Sequence, residues 1–239
     1  MSDDPPLSYE SVTRAGGALR NHEIGVASLD PFELRKALEV VARFRASWVQ
    51  PPRPLNLVAV GLHSMTLTLL ASPVVLSQRL KRLPRIPSKL SHPEHASMRL
   101  PQMEDIGGCR VVLESLPELR ALEQRIVVDR WAEELVRVVD YIDTPKADGY
   151  RAVHVIVRRD ERLVEIQLRT LLQHAWAVQV ERLEAFHRAR LRRGEAPRDL
   201  GTTLIELSDS LARLDLGHAL PEVERERIST WLAKLGDRR

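Results

Sequence analysis

The sequence predicts an α+β domain in which a mixed sheet of four or five strands is flanked by helices. Two observations predict this class. Short runs rich in β-branched residues, which are typical of strands, lie in the middle of the chain at 137–142, 151–158 and 163–169. On both sides of these runs, apolar residues recur at steps of three and four positions, which is typical of amphipathic helices. The sheet is therefore expected to be central, with helical extensions before and after it.

The N-terminal part of the chain is predicted to be helical over residues 9–72, after a disordered start at residues 1–8. Asp30 followed by Pro31 is a helix-start signal, because aspartate caps free backbone N–H groups and proline is tolerated at the first helical position. A second, leucine-rich helix is predicted from about Asn56 to Ala71.

The core of the domain is predicted at residues 73–193, and it opens with a strongly basic segment. Residues 79–99 hold six lysine and arginine side chains against a single acid, Glu94. Three prolines in this segment exclude one continuous helix. The pattern is compatible with a phosphate-binding segment and also with a solvated basic loop.

The predicted strands follow this segment. Asp105 and a glycine pair lead into the apolar run at 111–113, which indicates a loop before a buried strand. A helix is predicted from Leu116 to about Val128. The Asp160–Glu161 turn between the last two β-branched runs predicts an antiparallel hairpin.

The C-terminal part returns to helices. An apolar stripe after Thr170 predicts a helix that ends before Gly194. Residues 194–239 are predicted to form two further helices, at about 199–216 and 221–235. Such helices either pack on the sheet or serve a partner protein.

The composition excludes several classes of protein. The chain has 239 residues, of which 44% are hydrophobic and 29% charged, as in ordinary globular domains. Cys109 is the only cysteine, so neither an internal disulfide nor a cysteine zinc site can form, and we expect a small apolar role on a buried strand. No apolar run approaches the roughly 18 residues of a membrane helix, so a cytoplasmic protein without a membrane partner is expected. Neither a GxxxxGK[ST] phosphate loop nor an HExxH zinc motif occurs.

Polar residues alternate with apolar ones along the last predicted strand. Glu165, Gln167 and Arg169 are therefore expected to share one face of the sheet. Asp105 lies just before an earlier strand. Phosphoryl or pyrophosphoryl transfer requires a divalent metal held by carboxylates, cations against the phosphates and an oriented nucleophile. The pattern is compatible with such a site and also with solvent-facing charges on a structural strand.

Each candidate residue also has a second interpretation. Glu165 can be a magnesium ligand or a general base for a hydroxyl group. Tyr150 follows Gly149, so its ring can stack on a base or pack at the start of a strand. His154 shares a face with Tyr150 and has either a catalytic or a structural role. His174 is expected to pack within a helix, because no strong second metal ligand lies at helical spacing.

Four stretches of the sequence resemble, in order, the synthetase domain of the RelA/SpoT alarmone synthetases. They are RLKRLPRIPSKL, DIGGCRVV, DYIDTPKADGYRAVH and VEIQLRT, and the resemblance runs from about Arg79 to Glu181. It implies a nucleotidyltransferase-like fold. It also implies a Mg²⁺-dependent reaction that moves the β,γ-pyrophosphate of ATP onto a ribose 3′-hydroxyl group.

The resemblance implies roles for individual residues. Asp105 and Glu165 are similar to the magnesium-binding and catalytic carboxylates, with Glu165 as the activator of the 3′-hydroxyl group. The residues that resemble the ATP-binding cations are Arg79, Lys81, Lys89 and Arg110. The residues that resemble the acceptor-binding side chains are Lys146, Tyr150, His154 and Gln167. In this comparison the ring of Tyr150 stacks on the acceptor base.

The sequence departs from the family pattern in the acceptor-binding loop. Asp148 stands where asparagine is usual and Ala152 where serine is usual, and a carboxylate there would repel a phosphate-bearing guanine nucleotide. QRLKRLPRI, QMEDIGGCRVV and QLRTLLQHAWA resemble the toxic small alarmone synthetases, which implies the 3′-terminal adenosine of tRNA as acceptor and an antitoxin protein as partner. The implied acceptors are thus a guanosine or adenosine nucleotide or tRNA. A non-catalytic module of the same fold, which binds RNA or a nucleotide, is the alternative.

Overall fold

The computed structural model describes residues 7–70, 74–131, 134–187 and 198–236. The helices are α1 (Tyr9–Glu23), α2 (Pro31–Ala46), α3 (Pro54–Leu69), α4 (Arg85–Leu90), α5 (Leu116–Gln124), α6 (Leu171–His187), α7 (Arg198–Asp215) and α8 (Glu222–Gly236). The strands are β1 (Val75–Leu80), β2 (Gly107–Leu113), β3 (Leu135–Asp140), β4 (Val153–Arg159) and β5 (Arg162–Thr170). Two 3₁₀ turns lie at Pro93–His95 and Leu100–Gln102, and α5 continues as a π-helical turn over Arg125–Arg130.

The five strands form one mixed sheet in the order β1-β2-β5-β4-β3. The central pair β2–β5 is parallel, and the other three pairs are antiparallel. The hairpin predicted at Asp160–Glu161 joins β4 to β5, and both turn residues have positive φ. The predicted α+β class with a mixed sheet between helices is confirmed.

The edge strand β1 was not predicted, because its residues fall partly in the basic segment 79–99. Only one side of β1 is paired, and most of its side chains are exposed, so the segment lacks the apolar pattern of a buried strand. After it, α4 contains Pro87 at its third position. Proline is tolerated there because the first four N–H groups of a helix have no partner within the helix. The prediction that the segment is not one continuous helix is confirmed.

The N-terminal helices cover the apolar face of the sheet. The Asp30 side chain accepts hydrogen bonds from the backbone N–H groups of Phe32 and Glu33, each at 2.8 Å, which confirms the predicted start of α2. The Trp48 side chain, 1% exposed, reaches the sheet, where its indole N–H donates to the Leu163 carbonyl at 2.8 Å. The predicted disorder of residues 1–8 lies almost wholly outside the described residues, as do the boundaries placed near 72 and 193.

Two hydrophobic clusters lie on opposite faces of the sheet. The larger one joins α1, α2, α3 and α5 to the apolar face and contains Cys109, whose predicted buried role is confirmed. Burial raises the pKa of the Cys109 thiol to about 12. The smaller cluster joins α6, α7 and α8 to Tyr150 and Ala152 on the other face. None of the helices in the described ranges is both long and apolar enough to cross a membrane.

Candidate active site

The polar face of β5 is buried rather than solvated. Glu165, Gln167 and Arg169 are 9%, 5% and 2% exposed, respectively, and they share one face as predicted. A charged residue is rarely buried this deeply unless it is paired or functional. The interpretation as ordinary solvent-facing charges is therefore wrong.

The sheet register brings predicted residues from separate stretches of sequence into two neighbouring rows. In the first row, Arg79 of β1 lies opposite Gly108 of β2, which lies opposite Glu165 of β5. In the second row, Arg110 lies opposite Gln167, which lies opposite His154 of β4. Gly108 allows β2 and β5 to approach closely at this point, since a Cβ atom at residue 108 would lie 2.9 Å from the Glu165 carbonyl oxygen.

Asp105 lies at one end of this face between two lysines. Its Oδ2 atom is 2.7 Å from Lys81 Nζ and 2.9 Å from Lys89 Nζ. Burial alone would raise the pKa of Asp105, but the ammonium groups of Lys89 and Lys81 outweigh burial and lower the pKa. Asp105 is therefore ionised at neutral pH. The other carboxylate oxygen, Oδ1, is buried and has no hydrogen-bond partner among the described residues.

This arrangement fits a magnesium ion. Mg²⁺ in nucleotide sites is bound by one or two carboxylates together with waters and substrate phosphates. Asp105 offers a free oxygen, and Glu165 lies close enough to raise the pKa of Asp105 electrostatically. No group of three or more His, Cys, Asp or Glu side chains that could enclose a metal is found in the described part of the chain. The donor set thus suits a shared protein–phosphate site rather than a closed zinc site.

The basic segment is hydrogen-bonded to helix α1. Arg20 of α1 donates hydrogen bonds to the carbonyl oxygens of Leu90, at 2.9 Å, and Ala96, at 2.8 Å, and also to that of Met98. Leu90 directly follows Lys89, so α1 holds the backbone that carries this lysine. The helical region before the core therefore contributes to the position of a predicted ATP-binding residue.

Glu165 belongs to a closed ring of hydrogen bonds. Five side chains form this ring: Tyr150, His154, Glu165, Gln167 and Arg169. Glu165 Oε1 lies 3.0 Å from His154 Nδ1, and His154 Nε2 lies 2.7 Å from the Tyr150 hydroxyl. Gln167 Nε2 donates to Glu165 Oε2 at 2.7 Å, while Arg169 Nη2 donates to Gln167 Oε1 at 3.1 Å and to the Tyr150 hydroxyl at 2.8 Å. Each member restrains its neighbours, so the Glu165 carboxylate has a defined orientation.

The ring keeps Glu165 ionised. Burial alone would raise the pKa of Glu165, but the hydrogen bond and charge of His154, the charge of Arg79 and the hydrogen bond from Gln167 lower it to about 2. Arg79 Nη2 is 3.8 Å from Glu165 Oε2. Glu165 is therefore a fixed negative charge at neutral pH.

The low pKa of Glu165 predicts an acid-sensitive contribution to stability. A carboxyl group whose pKa falls on folding from 4.5 to about 2 stabilises the folded state above pH 4.5 and loses that effect as the pH falls towards 2. As the pH falls from 4.5 to 2, the free energy of unfolding of the wild type is expected to fall by about 3 kcal/mol more than that of Glu165→Gln. Urea denaturation at both pH values measures this difference. All other carboxyl groups are common to both proteins, so an identical pH dependence would contradict the prediction.

Three of the residues predicted to bind the acceptor lie around another aromatic ring, that of Tyr141. Lys146 Nζ lies 4.6 Å from the centroid of the Tyr141 ring and 5.1 Å from that of Tyr150. The Tyr141 ring also contacts His154, at 5.1 Å between centroids. Tyr141 is half-buried, whereas Tyr150 is only 6% exposed, so Tyr141 is the more accessible ring. The sequence interpretation missed Tyr141, although it lies just after β3 and two residues from Val139, which is paired with His154.

Helix α7 forms hydrogen bonds with the loop at residues 146–150, which was predicted to bind the acceptor, and with the residue that follows it. The Ser208 hydroxyl donates to the Gly149 carbonyl at 2.5 Å, and Arg151 Nη2 donates to Asp209 Oδ1 at 2.7 Å. Gly149 has φ +86°, and a Cβ atom there would lie 3.2 Å from α7 atoms, so glycine is required. Asp148, the departure from the family pattern, accepts a hydrogen bond from the Tyr150 backbone N–H at 2.9 Å and thereby shapes the loop.

His174 is half-buried within α6. Burial and the positive charges of Arg169 and Arg110 lower its pKa. Its Nδ1 atom is buried and has no hydrogen-bond partner among the described residues.

The fold and this site define the class of protein, an α+β domain with carboxylates and cations at one face of a mixed sheet. Residues 78–184 match the family model described as the region found in RelA / SpoT proteins. This match covers all four sequence stretches, and their resemblance to the family is confirmed.

The matches to curated relatives cover only part of this chain and part of each relative. An uncharacterized protein of Mycobacterium tuberculosis is 31% identical over 135 residues, which are 56% of this chain and 48% of the relative. A GTP pyrophosphokinase of Bacillus subtilis is 33% identical over 85 residues, which are 31% of this chain and 39% of the relative. The chain spans about half the length, or less, of these relatives.

Solved structures share the fold over most of the chain. Small alarmone synthetase 1 from Bacillus subtilis, bound to its product pppGpp, has a TM-score of 0.62 and 22% identity, covering 80% of this chain and 99% of that chain. A GTP pyrophosphokinase family protein from Streptococcus pneumoniae has a TM-score of 0.54 and 21% identity, covering 79% of this chain and 96% of that chain. These matches confirm the predicted fold, a mixed sheet flanked by helices.

Proposed function

We propose that the protein is a Mg²⁺-dependent pyrophosphokinase that transfers the β,γ-pyrophosphate of ATP to a ribose 3′-hydroxyl group. One observation carries the proposal. Two ionised carboxylates, Asp105 and Glu165, lie on one sheet face among cations, and one oxygen of Asp105 is unpartnered among the described residues. A structural sheet face would not require this combination. The proposal is supported by the RelA/SpoT region and by the likeness to a synthetase solved with pppGpp.

On the donor side, Arg79, Lys81, Lys89 and Arg110 hold ATP. The two lysines bind Asp105 in the free protein, at 2.7 and 2.9 Å. Triphosphate oxygens offer them stronger charge-assisted hydrogen bonds, so they exchange Asp105 for the nucleotide. Asp105 and Glu165 hold Mg²⁺, which when bound supplies charge stabilisation to the transferring phosphate groups. This exchange couples the binding of ATP to the exposure of Asp105.

Glu165 orients the 3′-hydroxyl group of the acceptor. A carboxylate with a pKa of about 2 is a weak proton acceptor, because general bases work best with a pKa near the operating pH. Phosphoryl transfer passes through a loose transition state and depends mainly on positioning and electrostatics. The hydrogen-bond ring through His154 and Gln167 supplies that positioning. Glu165 therefore acts by accepting the hydroxyl hydrogen bond and by helping to hold the metal. As the bond from the 3′-oxygen to the β-phosphorus forms, the bond to the α-phosphate breaks, AMP leaves, and the hydroxyl proton passes to solvent.

On the acceptor side, Lys146, Tyr150, His154 and Gln167 form the binding wall. In the free protein Lys146 lies over the ring of Tyr150. A base that stacks on Tyr150 displaces the exposed Lys146 side chain, which then meets a phosphate of the acceptor. The acceptor is a guanosine or adenosine nucleotide or the 3′-terminal adenosine of tRNA, and an antitoxin is the partner in the tRNA case. The negative charge of Asp148 favours the tRNA terminus over a guanosine polyphosphate.

Incubation with γ-labelled ATP, Mg²⁺ and each of GDP, GTP, ADP and deacylated tRNA tests the proposal. Label is expected to move to one acceptor and to require Mg²⁺. Labelled tRNA together with toxicity on expression supports the toxic branch, and a labelled free nucleotide supports alarmone synthesis. No transfer to any acceptor, with magnesium-independent nucleotide binding, would support the non-catalytic module instead.

The contacts of α7 predict an effect on acceptor binding alone. Ser208→Ala removes the hydrogen bond to the Gly149 carbonyl, and Asp209→Asn removes the charge that holds Arg151. Because one hydrogen bond contributes about 1 kcal/mol, each change is expected to raise the KM for the acceptor about fivefold and to leave the KM for ATP unchanged.

The matched control for this prediction is Glu206→Gln. Glu206 lies on α7 and pairs with Arg227 of α8 at 3.1 Å, so its replacement removes an ion pair without touching the acceptor loop. Equal changes in both KM values, or an effect of Glu206→Gln on the acceptor KM, would contradict the assignment of α7 to the acceptor loop.

A further inference from the structure

Helix α3 exposes a stripe of apolar side chains to solvent. Leu57, Val60 and Leu67 are 44%, 60% and 70% exposed, and Ser64 is exposed between the last two. We call these four residues the α3 stripe. They recur at steps of three, four and three positions, so they lie along one side of the helix.

The α3 stripe lies on the side of the helix opposite to the core. Leu55, Val58 and Leu62 are at most 1% exposed and pack in the larger hydrophobic cluster, on the apolar face of the sheet. With 3.6 residues per turn, these three residues and the stripe point in opposite directions. A surface helix normally carries charged or polar residues on its solvent side. α3 therefore has a second apolar side, which the described part of the chain leaves exposed.

The helix that carries the stripe has no charged side chain. Its sequence contains no Asp, Glu, Lys or Arg, and no other helix in the described ranges lacks all four. Other exposed apolar residues have charged neighbours in the sequence: Glu33 follows Phe32, and Val223 lies between Glu222 and Glu224. Single apolar residues among charges are ordinary on a protein surface, whereas a continuous apolar patch marks an interaction surface.

We propose that the α3 stripe pairs with the same stripe of a second copy of the chain, in an antiparallel contact of two helices. Steps of three, four and three positions are those of the a and d residues of a heptad, which form the seam of a coiled coil. The spacing is the same when it is read in either direction. In an antiparallel pair, Leu57 of each copy therefore lies against Leu67 of the other, and Val60 lies against the small Ser64.

The absence of charge favours a second copy as the occupant. In a two-fold contact the residues near the axis meet their own counterparts, so a charge at that place would face the same charge. The chain has a net charge of +3, and α3 contributes none of it. A helix that lies on a membrane surface would instead carry Lys or Arg beside its apolar side, and α3 has neither.

The pairing is expected to be weak and to leave the candidate active site open. The stripe extends over about 15 Å of helix, and one helix pair buries less than the roughly 800 Å² per partner of a standard interface. A groove at the C-terminal end of α3 adds to this surface; it is lined by Thr68, Leu69, Ala121, Gln124 and Arg125. We expect a dissociation constant on the order of 10 μM. α3 covers the apolar face of the sheet, so the polar faces of both copies point away from the contact.

Sedimentation equilibrium of the full chain between about 1 and 200 μM, without nucleotide or metal, tests the proposal. The mass of the wild type is expected to rise with concentration from 27.2 kDa towards twice that value. Val60→Glu is expected to weaken the pairing at least about 100-fold, because it buries two like charges in an apolar seam. Phe32→Glu is the matched control, since it places the same acid at an exposed apolar position of α2, and it should dimerise like the wild type.

Two further experiments test the antiparallel register. Val60→Glu combined with Ser64→Lys is expected to restore the dimer, because each new acid faces the new lysine of the other copy. A mixture of the Leu57→Cys and Leu67→Cys proteins is expected to form a disulfide-linked dimer on oxidation. Leu57→Cys alone should not, since its two copies lie about 15 Å apart in this register. Cys109 is buried and does not compete.

Several outcomes would overturn the proposal. A wild type that remains at 27.2 kDa throughout the concentration range excludes the second copy, and a monomer that binds lipid vesicles indicates a membrane surface instead. A dimer that persists in Val60→Glu excludes the α3 stripe, and cross-linking of Leu57→Cys alone excludes the antiparallel register. If Val60→Glu fails to fold, as judged by circular dichroism, Leu67→Glu at the most exposed position of the stripe carries the test. None of these measurements uses ATP or an acceptor, so their outcome is independent of the proposed function.

Discussion

Replacement of Glu165 by glutamine is expected to lower pyrophosphate transfer by at least about 100-fold, because it removes the charge that positions the 3′-hydroxyl group and helps to hold the metal. The amide keeps the size of the side chain but removes the negative charge that His154 and Gln167 orient. The variant is expected to fold, because the apolar face of β5 is unchanged. Steady-state rates with labelled ATP, together with a circular dichroism spectrum, measure both effects.

The matched control is Glu134→Gln. Glu134 is half-buried and pairs with Arg159 at 2.8 Å, so its replacement also removes a carboxylate from an ion pair, but away from the site. The control is expected to keep nearly full activity. Retained activity in Glu165→Gln would exclude Glu165 as the residue that acts on the 3′-hydroxyl group.

Asp105→Asn is expected to lower activity by at least about 100-fold, because a bound metal contributes several kcal/mol of transition-state stabilisation. Asparagine cannot neutralise Lys81 and Lys89, and its oxygen is a weaker ligand for a hard cation. The variant is also expected to bind Mn²⁺ at least about tenfold more weakly, measured by electron paramagnetic resonance in the presence of ATP.

The neighbouring residue provides the control for this change. Glu104→Gln removes one negative charge next to Asp105 and breaks the exposed ion pair with Arg137, which has a 2.6 Å contact. It is expected to leave Mn²⁺ binding unchanged. If the two variants weaken Mn²⁺ binding equally, the effect is one of general charge, and Asp105 is not the ligand.

The sequence pattern predicted which residues share the polar face of β5, but it did not predict that this face is buried. The alternation along β5 correctly placed Glu165, Gln167 and Arg169 on one face, because a strand has a strict period of two. It did not indicate that this face is buried, since the partners of these side chains, among them Tyr150, His154 and Arg79, come from other parts of the chain. The solvent-facing alternative was wrong for that reason.

Two other features that the sequence did not predict, β1 and the role of Ser208, also depend on tertiary contacts or on exposure. β1 is an edge strand with exposed side chains, so its sequence carries no burial pattern. Ser208 is an ordinary helix residue in the sequence, and only the packing of α7 brings it to Gly149.

The sequence by itself determined most of the helices and strands, the mixed sheet between helices, the resemblance to the RelA/SpoT region and most of the candidate site residues. These follow from local periodicity and from ordered motifs, which depend on neighbouring residues. Only the tertiary structure decided the partners of those residues. Asp105 lies between two lysines, Glu165 lies in a closed hydrogen-bond ring, and Tyr150 lies beneath α7. Charge and orientation at a site are set by groups close in space, and those groups come from distant parts of the chain.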